Sequence, residues 1–304
     1  MINGIINVYK EKGYTSHDVV AKLRGIVKQK KIGHTGTLDP DAEGVLPICL
    51  GNGTKVCDLL TGQDKTYEAV LLLGQTTDTQ DTSGVVLSKS EVNAGRQEIE
   101  EAIDSFIGEY DQIPPMYSAI KINGKRLYEL ARAGKEVERA ARRVRIHNIQ
   151  ILHIDLRKQE VRIVVDCSKG TYIRTLCHDI GAKLSCGGCM KSLLRTKVGQ
   201  FSIENSIRLS EVEKLMEQNQ INNVLIKVDD MFSDYRKVIV AKEYSKYIYN
   251  GNSFSLMDIT EPFQITTDDM ETFPVRVYDW ECNFVGIYQF ERADDRFKPV
   301  KMFL

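Results

Sequence analysis

The stretch RIHNIQILHIDLRKQEVRIVVDCSKGTYIRTLCHDIGAKL, residues 145–184, gives the clearest indication of the fold class. Its first part alternates apolar and polar residues in two runs, 145–156 and 160–170, which is the pattern of two paired strands. Its last part returns to helical spacing through Ile173, Leu176, Cys177, Ile180 and Leu184. Strands and helices mix here without the regular alternation of a doubly wound sheet. The sequence therefore predicts an α+β fold with a mixed, mostly antiparallel sheet and flanking helices.

Other segments agree with this class. Ser16 and Asn93 are candidate N-caps, each placed just before a run of apolar residues at helical spacing. The run KTYEAVLLLG, residues 65–74, predicts a strand, and TTDTQDTSG, residues 76–84, predicts a long polar loop.

A basic segment follows a Pro-Pro pair that interrupts regular structure. Asn123-Gly124 predicts a hairpin turn within it. Between residues 121 and 145, nine Lys or Arg stand against three Glu. Residues 112–145 are therefore predicted to be an insertion whose cations could bind phosphates, with a solvated helical face as the alternative.

The composition changes near Asp229. From there to residue 304 the chain has fourteen acidic and nine basic residues, and its apolar runs are short and aromatic. We expect a small β-rich domain at 229–304 after a larger domain at 1–228. The net charge of -1 thus averages over opposed regions and does not exclude a nucleic-acid partner.

Cysteine usage and hydropathy bear on location. The seven cysteines are odd in number and lie in apolar contexts, which predicts reduced thiols without disulfides in an intracellular protein. No apolar run reaches about 18 residues, and residues 1–13 lack the features of a signal peptide. We therefore expect no membrane association and a cytoplasmic location.

The glycine-rich stretch KKIGHTGTLDPDAEGVLPICLG, residues 30–51, contains the candidate catalytic groups. Its glycines lack the spacing of either nucleotide phosphate-binding loop, and CGGC, residues 186–189, is half of a zinc motif without its second pair. No nucleophile elbow is present. Of the chemistries considered, carboxylate chemistry remains, with Asp39 or Asp41 as the candidate group. For either aspartate taken alone, an Asx-turn or a helix cap is the commoner role. Pro40 predicts that Asp39 lies on a tight, exposed turn.

Four motifs in order resemble the bacterial TruB family of tRNA pseudouridine synthases over about residues 3–200: GHTGTLDPDAEGVLPICLG, DKTYEAVLLLGQTTDTQDTSG, IPPMYSAIKINGKRLYELARAGKEVER and CSKGTYIRTLCHDIGAKL. The resemblance implies isomerisation of uridine 55 in the tRNA T-loop. The family flips the base out, cleaves its N-glycosidic bond, turns the uracil and rejoins it through C5. It implies no cofactor and no metal.

The resemblance also implies roles for individual residues. Asp39 would be the catalytic aspartate, Tyr67 would stack on the flipped base and help remove the C5 proton, and Arg174 would pair with Asp39 and lower its pKa. The remaining expectations concern substrate binding and support: Tyr172 lines the pocket, His34 contacts the RNA, Lys10 supports the loop, and Arg142 and Arg143 hold the T-arm backbone.

The sequence departs from the family pattern at two places. Glu11 stands where the family has a proline, which bears on the role of Lys10, and Cys189-Met190 replaces a histidine-leucine pair. The tail resembles a PUA-type RNA-binding domain in length, placement and strand content, but its acidity opposes strong binding of phosphate.

The expected partner is tRNA without a guide RNA. The alternatives are a non-catalytic RNA-binding factor and a guide-dependent synthase of the dyskerin type.

Overall fold

The computed structural model describes residues 1–122, 124–260 and 274–304. Within these ranges the strands of the first part of the chain are β1 (Gly4–Lys10), β2 (Ile32–His34), β3 (Glu43–Leu50), β4 (Lys65–Leu73), β5 (Gln75–Thr77), β6 (Val86–Lys89), β7 (Gly108–Gln112), β8 (Lys121–Ile122), β9 (Lys125–Arg126), β10 (Arg142–Asp155), β11 (Glu160–Cys167), β12 (Gly188–Val198) and β13 (Phe201–Ser202). The last part contains β14 (Lys237–Ile239), β15 (Val275–Tyr278), β16 (Phe284–Glu291) and β17 (Arg296–Met302). The helices are α1 (Ser16–Val27), α2 (Cys57–Thr61), α3 (Arg96–Asp104), α4 (Leu127–Arg132), α5 (Ile173–Lys183), α6 (Leu209–Glu217) and α7 (Ser245–Tyr249).

A nine-stranded sheet forms the centre of the first part. Its order is β1-β3-β12-β4-β11-β10-β7, with β2 beside β3 and β13 beside β12. The neighbours run antiparallel except for β3 and β12, which are parallel. In the second part, β14-β15-β16-β17 form a four-stranded sheet with one parallel pair, β14 and β15. The predicted fold class, including a small β-rich C-terminal domain, is confirmed.

The strands β1 and β3 are buried on both faces. On one face, Ile6 and Leu46 pack against α1 and α6. On the other face, Ile5 and Cys49 share a cluster with Phe303 of the C-terminal domain. Both strands are therefore buried along almost their whole length and lack the alternation that marks a half-buried strand.

The helices α3 and α5 cover the rest of the central sheet. Ile99 and Ile103 of α3 and Leu176 and Ile180 of α5 share a cluster with residues of β4, β10 and β11 such as Ile163. This packing fixes α5 against the sheet, so that the first turn of the helix lies beside the loop between β2 and β3.

Several local predictions need correction. Thr15, not Ser16, is the N-cap of α1: its hydroxyl accepts from the backbone N–H of Asp18 at 3.1 Å. The helix predicted after Asn93 begins at Arg96 with Gly95 as its N-cap residue. The polar stretch 76–84 begins in β5 and continues as the predicted loop, because residues 78–85 connect β5 to β6.

The basic segment is joined to the sheet at both ends. Gln112 ends β7, and Arg142–Asp155 is one continuous strand, so the last residues of the predicted insertion belong to β10. β8 and β9 form the hairpin predicted at Asn123-Gly124, with Gly124 at a φ of 80°. Asn123 itself lies outside the described residues.

Two further findings concern membrane-spanning helices and disulfides. In the described ranges no helix is long and apolar enough to cross a membrane, and all seven cysteines are free.

The division of the chain into two domains at 228/229 stays a prediction. Val228 and Phe232, on either side of it, pack in the same cluster as Ile287 of the C-terminal domain.

Candidate active site

Asp39 lies on the loop between β2 and β3. The backbone N–H of Ala42 donates to the Asp39 carbonyl at 3.1 Å, which closes the predicted turn. The predicted exposure is wrong in part, because the carboxylate faces inward and its side chain is 39% exposed. That remaining exposure leaves one side of the carboxylate open to a ligand.

Lys10, at the end of β1, contacts this loop through its side chain. Its side chain is fully buried, and its ammonium donates to the carbonyls of Pro40 at 3.1 Å and Ala42 at 2.5 Å. Burial lowers the pKa of Lys10 to about 8, an effect that the Asp39 carboxylate opposes. Lys10 makes these contacts even though Glu11 replaces the family's proline; Glu11 instead pairs with Arg208 on the surface.

Two residues that the sequence did not assign to the Asp39 loop also hold it. Ser16 is buried, and its hydroxyl accepts from the N–H of Leu38 at 2.9 Å. Arg195 of β12 donates to the carbonyls of Val45 at 2.7 Å and Gly36 at 3.2 Å. Gly44 is required where β3 passes β12, because a Cβ there would lie 2.2 Å from the Arg195 carbonyl oxygen and its φ is 106°.

Arg174, in the first turn of α5, forms a two-point ion pair with Asp39. Its Nε lies 3.0 Å from Oδ2 and its Nη2 lies 3.3 Å from Oδ1. The same guanidinium donates to the carbonyls of Thr79 at 3.1 Å and Tyr117 at 2.8 Å. A planar guanidinium held at this many points fixes the direction of the carboxylate as well as its charge.

Asp81 is a second carboxylate on Arg174 that the sequence did not single out. Its Oδ2 lies 3.5 Å from Nη1 of Arg174, and its Oδ1 accepts from the hydroxyl of Thr79 at 2.7 Å and the N–H of Ser83 at 3.0 Å. Arg174 therefore lies between two acids that both line the cavity; the Asp39 side chain is 39% exposed and that of Asp81 is 16% exposed.

The pKa of Asp39 is raised by burial, and Arg174 acts in the opposite direction. The expectation that Arg174 lowers this pKa is thus correct for its own effect, but burial outweighs it in the balance. The neighbouring charge of Asp81 adds to the rise. Because an arginine stays protonated, its positive charge favours the ionised form of Asp39. Without Arg174, a smaller fraction of the Asp39 carboxyl would be ionised.

Asp39 opens into a cavity of about 1250 Å³, which is also lined by Tyr67, Tyr172 and Arg174. Tyr67 of β4 is 8% exposed and packs in the core cluster with Leu38, so it is both a core residue and part of the wall. Burial raises the pKa of Tyr67, while Arg195, hydrogen-bonded to its hydroxyl, opposes that rise. The cavity is therefore large enough to admit a flat ring beside the Asp39 carboxylate.

His34 ends β2 and lies behind the loop. Its Nδ1 accepts from the N–H of Gly36 at 3.3 Å, and its ring meets that of His17 edge-on at 5.4 Å. Burial lowers the pKa of His34 to about 4, so the ring is neutral at pH 7. Among the described residues, His17 lines the cavity and His34 does not. Contact of His34 with RNA stays a prediction.

Two arginines of the basic segment, Arg126 and Arg132, line the cavity. Both lie over the ring of Tyr128, at 5.7 and 5.5 Å from its centroid. Arg143 of β10 pairs with Glu109 at 3.4 Å and Asp111 at 2.8 Å, whereas no ion pair of Arg142 occurs in the part of the chain that the structure describes. The basic segment thus presents charge next to the candidate site.

The described ranges contain no group of three or more His, Cys, Asp or Glu residues that could hold a metal ion. Cys189 of the CGGC stretch instead accepts a long contact from the Gln75 amide at 3.6 Å.

Comparison with known proteins places the chain in a family. Residues 24–173 match the N-terminal domain of the TruB family pseudouridylate synthases, and residues 174–233 match the tRNA pseudouridylate synthase B C-terminal domain. The chain is 56% identical over 309 residues to tRNA pseudouridine synthase B of Lachnoclostridium phytofermentans and 42% identical over 308 residues to that of Clostridioides difficile, each covering 100% of both chains.

A solved structure supports the fold. A chain of the Cbf5-Nop10-Gar1 complex matches with a TM-score of 0.71 at 24% identity, covering 99% of this chain and 85% of its own. At 24% identity this match supports the fold alone. The matches to the two tRNA pseudouridine synthases B extend over the whole chain, at 56% and 42% identity. The chain therefore belongs to the TruB family of pseudouridylate synthases.

Proposed function

We propose that this protein isomerises uridine 55 in the T-loop of tRNA to pseudouridine, with Asp39 as the catalytic carboxylate. The observation that carries the proposal is the two-point pairing of Asp39 with Arg174 at a cavity wall, where the carboxylate keeps one open face. An oriented, ionised carboxylate facing a bound nucleoside can act as a nucleophile. The N-glycosidic bond breaks, the uracil turns, and C5 replaces N1 on the sugar while the C5 proton leaves.

The base must leave its stack to reach Asp39. A flipped uracil would enter the cavity and stack on Tyr67, with Tyr172 on the adjoining wall. Tyr67 lies next to the Asp39 loop because it packs against Leu38, so the ring and the carboxylate would meet the same nucleoside. Both fragments would then be held away from water during the reaction.

The basic segment is proposed to hold the T-arm directly. Arg126 and Arg132 in the cavity lining, with Arg142 and Arg143 on β10, would face phosphates. Full-length matches to proteins called tRNA pseudouridine synthase B favour a tRNA substrate without a guide RNA. The fold match to the Cbf5 complexes, at 22–24% identity, supports the fold and does not favour the guide-dependent alternative. A tRNA substrate agrees with the expected cytoplasmic location.

The proposal is tested by tritium release from a tRNA transcript made with [5-³H]uridine. Formation of the C5–C1′ bond displaces one C5 hydrogen, so wild-type protein should release one tritium per tRNA without any added RNA. A transcript with cytidine at position 55 should release none. Binding of tRNA without release would favour the non-catalytic RNA-binding factor, and release only with a guide RNA would favour the guide-dependent enzyme.

Tyr67→Phe should slow single-turnover isomerisation by roughly 100-fold, because it keeps the stacking ring but deletes the hydroxyl that would assist C5 proton removal. Arg195 retains its carbonyl partners Val45 and Gly36, so unfolding free energy should fall by only about 1 kcal/mol. Rapid-quench kinetics and a thermal melt measure the two effects.

The matched control is Tyr278→Phe. The Tyr278 hydroxyl is also buried and donates to Asp229 at 2.8 Å, but it lies in the C-terminal domain. This variant should keep the wild-type rate. Full activity of Tyr67→Phe would assign Tyr67 to stacking alone, and Tyr67→Leu should then still be impaired.

Replacing Arg142 and Arg143 together by glutamine should weaken tRNA binding and reduce the slope of log affinity against log salt by up to about two. The control is the double replacement of Arg157 and Lys158, an equally exposed basic pair in the turn after β10, at its opposite end. Affinity titrations between about 50 and 200 mM salt compare the two. If the two variants show equal slopes, the segment is a solvated face and does not hold the T-arm.

A further inference from the structure

The side chain of Gln112 grips the backbone of one residue from two sides. Gln112 ends β7 and is 1% exposed. Its Oε1 accepts from the N–H of Tyr172 at 2.8 Å, and its Nε2 donates to the carbonyl of Tyr172 at 3.0 Å. A side-chain amide bound in this way fixes both the position and the tilt of the peptide units that it contacts.

Tyr172 is the residue from which α5 starts. Its own side chain makes no capping hydrogen bond, so the entry of the chain into the helix is held from outside, by Gln112. Arg174 follows two residues later, in the first turn. A change in the path of Tyr172 would therefore move both the Tyr172 ring and the Arg174 guanidinium.

The direction of the Gln112 amide is itself fixed by neighbours. Its Nε2 also donates to the hydroxyl of Tyr110, and that hydroxyl lies 3.5 Å from Oδ2 of Asp179 on α5. Burial raises the pKa of Tyr110, so the hydroxyl keeps its proton and donates it to Asp179. With Tyr110 accepting on this side, the Nε2 end of the amide points to Tyr110 and the Tyr172 carbonyl.

Gln112 also begins the segment 112–145 that is proposed to hold the T-arm. The same segment reaches Arg174 a second time, since the carbonyl of Tyr117 accepts from its Nη2 at 2.8 Å. Across the sheet, Gln112 is the register partner of Arg142. The RNA-facing segment is thus tied to the Asp39–Arg174 pair at two points.

From these contacts we propose that Gln112 is a positioning residue for the isomerisation: it holds Tyr172 so that the Arg174 guanidinium meets Asp39, and it couples the RNA-binding segment to that pair. The inference rests on the proposed function. Gln112 is buried and does not touch the substrate, so its effect should fall on turnover and not on affinity.

Gln112→Glu tests this with a nearly unchanged shape. When ionised, the new carboxylate places an oxygen against the Tyr172 carbonyl where an N–H stood; when protonated, it can donate again. Burial keeps the pKa of such a carboxyl above its usual value, so its neutral form becomes populated as pH falls. We expect kcat about 10- to 100-fold below wild type at pH 8, partial recovery relative to wild type at pH 6, and tRNA affinity within about threefold.

The control is Gln29→Glu, because Gln29 makes the same kind of clamp elsewhere. Its amide accepts from the N–H of Ile2 at 2.9 Å and donates to the Ile2 carbonyl at 3.1 Å. This variant should keep the wild-type kcat at both pH values. Gln112→Met, which has no ionisable group, should be slow at both.

Three outcomes would overturn the inference while wild-type protein remains active on uridine 55. They are a wild-type kcat for Gln112→Glu at pH 8, a loss confined to KM, and global unfolding of both Gln112 variants with Gln29→Glu intact, which would assign Gln112 to stability alone. Inactivity of the wild-type protein on tRNA would instead count against the proposed function.

Discussion

Asp39→Asn is expected to lower the rate of isomerisation at least about 10⁴-fold, while tRNA affinity stays within about 1 kcal/mol of wild type. The substitution removes the ionised carboxylate but keeps the size of the side chain. Arg174 retains Asp81 at 3.5 Å and the carbonyls of Thr79 and Tyr117, so the site should keep its shape. Single-turnover kinetics with tRNA in saturating enzyme measure the loss, and filter binding measures the affinity.

Asp41→Asn is the matched control, two residues along the same loop. The Asp41 side chain is 64% exposed, and its nearest ion-pair contact is Lys12 at 4.0 Å, on the surface. Activity close to wild type is expected. Turnover above background by Asp39→Asn, or an equal loss in both variants, would remove Asp39 from the catalytic role.

Arg174→Lys is expected to lower turnover about 10²- to 10³-fold at neutral pH. An ammonium keeps the charge, but it cannot span both oxygens of Asp39 while also reaching the Thr79 and Tyr117 carbonyls. The guanidinium at present opposes the rise that burial causes in the pKa of Asp39. With weaker pairing that pKa rises further, so activity should be lost at a higher pH as the solution is acidified. A pH–rate profile under single-turnover conditions measures both effects.

Arg162→Lys controls for replacement of a paired arginine. Arg162 of β11 forms an ion pair with Glu68 on the sheet surface. Its replacement should change neither the rate nor the acidic limb of the profile. An acidic limb in the Arg174 variant that coincides with wild type would mean that Arg174 does not govern the ionisation of the catalytic group.

The parts of the fold that the sequence predicted are those with one exposed face or clear helical spacing. β4, β10, β11 and α5 were found in this way. β1 and β3 were not, since α1 and α6 bury one face and the C-terminal domain buries the other. Local periodicity carries no information about a strand whose two sides are both apolar.

The site could be predicted only in part. Asp39 and Arg174 are 135 residues apart, and their contact depends on how α5 packs beside the loop, so the four ordered motifs together were needed to connect them. Asp81 had no distinguishing signal beside Asp78 in the same polar stretch. It faces Arg174 because the β5–β6 hairpin is pinned to β12, where the N–H of Thr82 donates to Met190 at 3.0 Å.

Gln112 and Arg195 were missed for a related reason. Each is a polar residue in a strand whose role is set by a backbone group distant in sequence: Tyr172 for Gln112, and Val45 and Gly36 for Arg195. A single sequence indicates that such a residue is polar but not that it is buried.

Pseudouridine can be mapped at single-nucleotide resolution in one unmodified tRNA transcript after incubation with purified protein and no other RNA. Modification is expected at uridine 55 alone, and none is expected with Asp39→Asn at equal tRNA occupancy. An unmodified uridine 55 with tRNA bound, or the same modification by the Asp39 variant, would contradict the assignment of Asp39 as the catalytic carboxylate of a uridine 55 synthase.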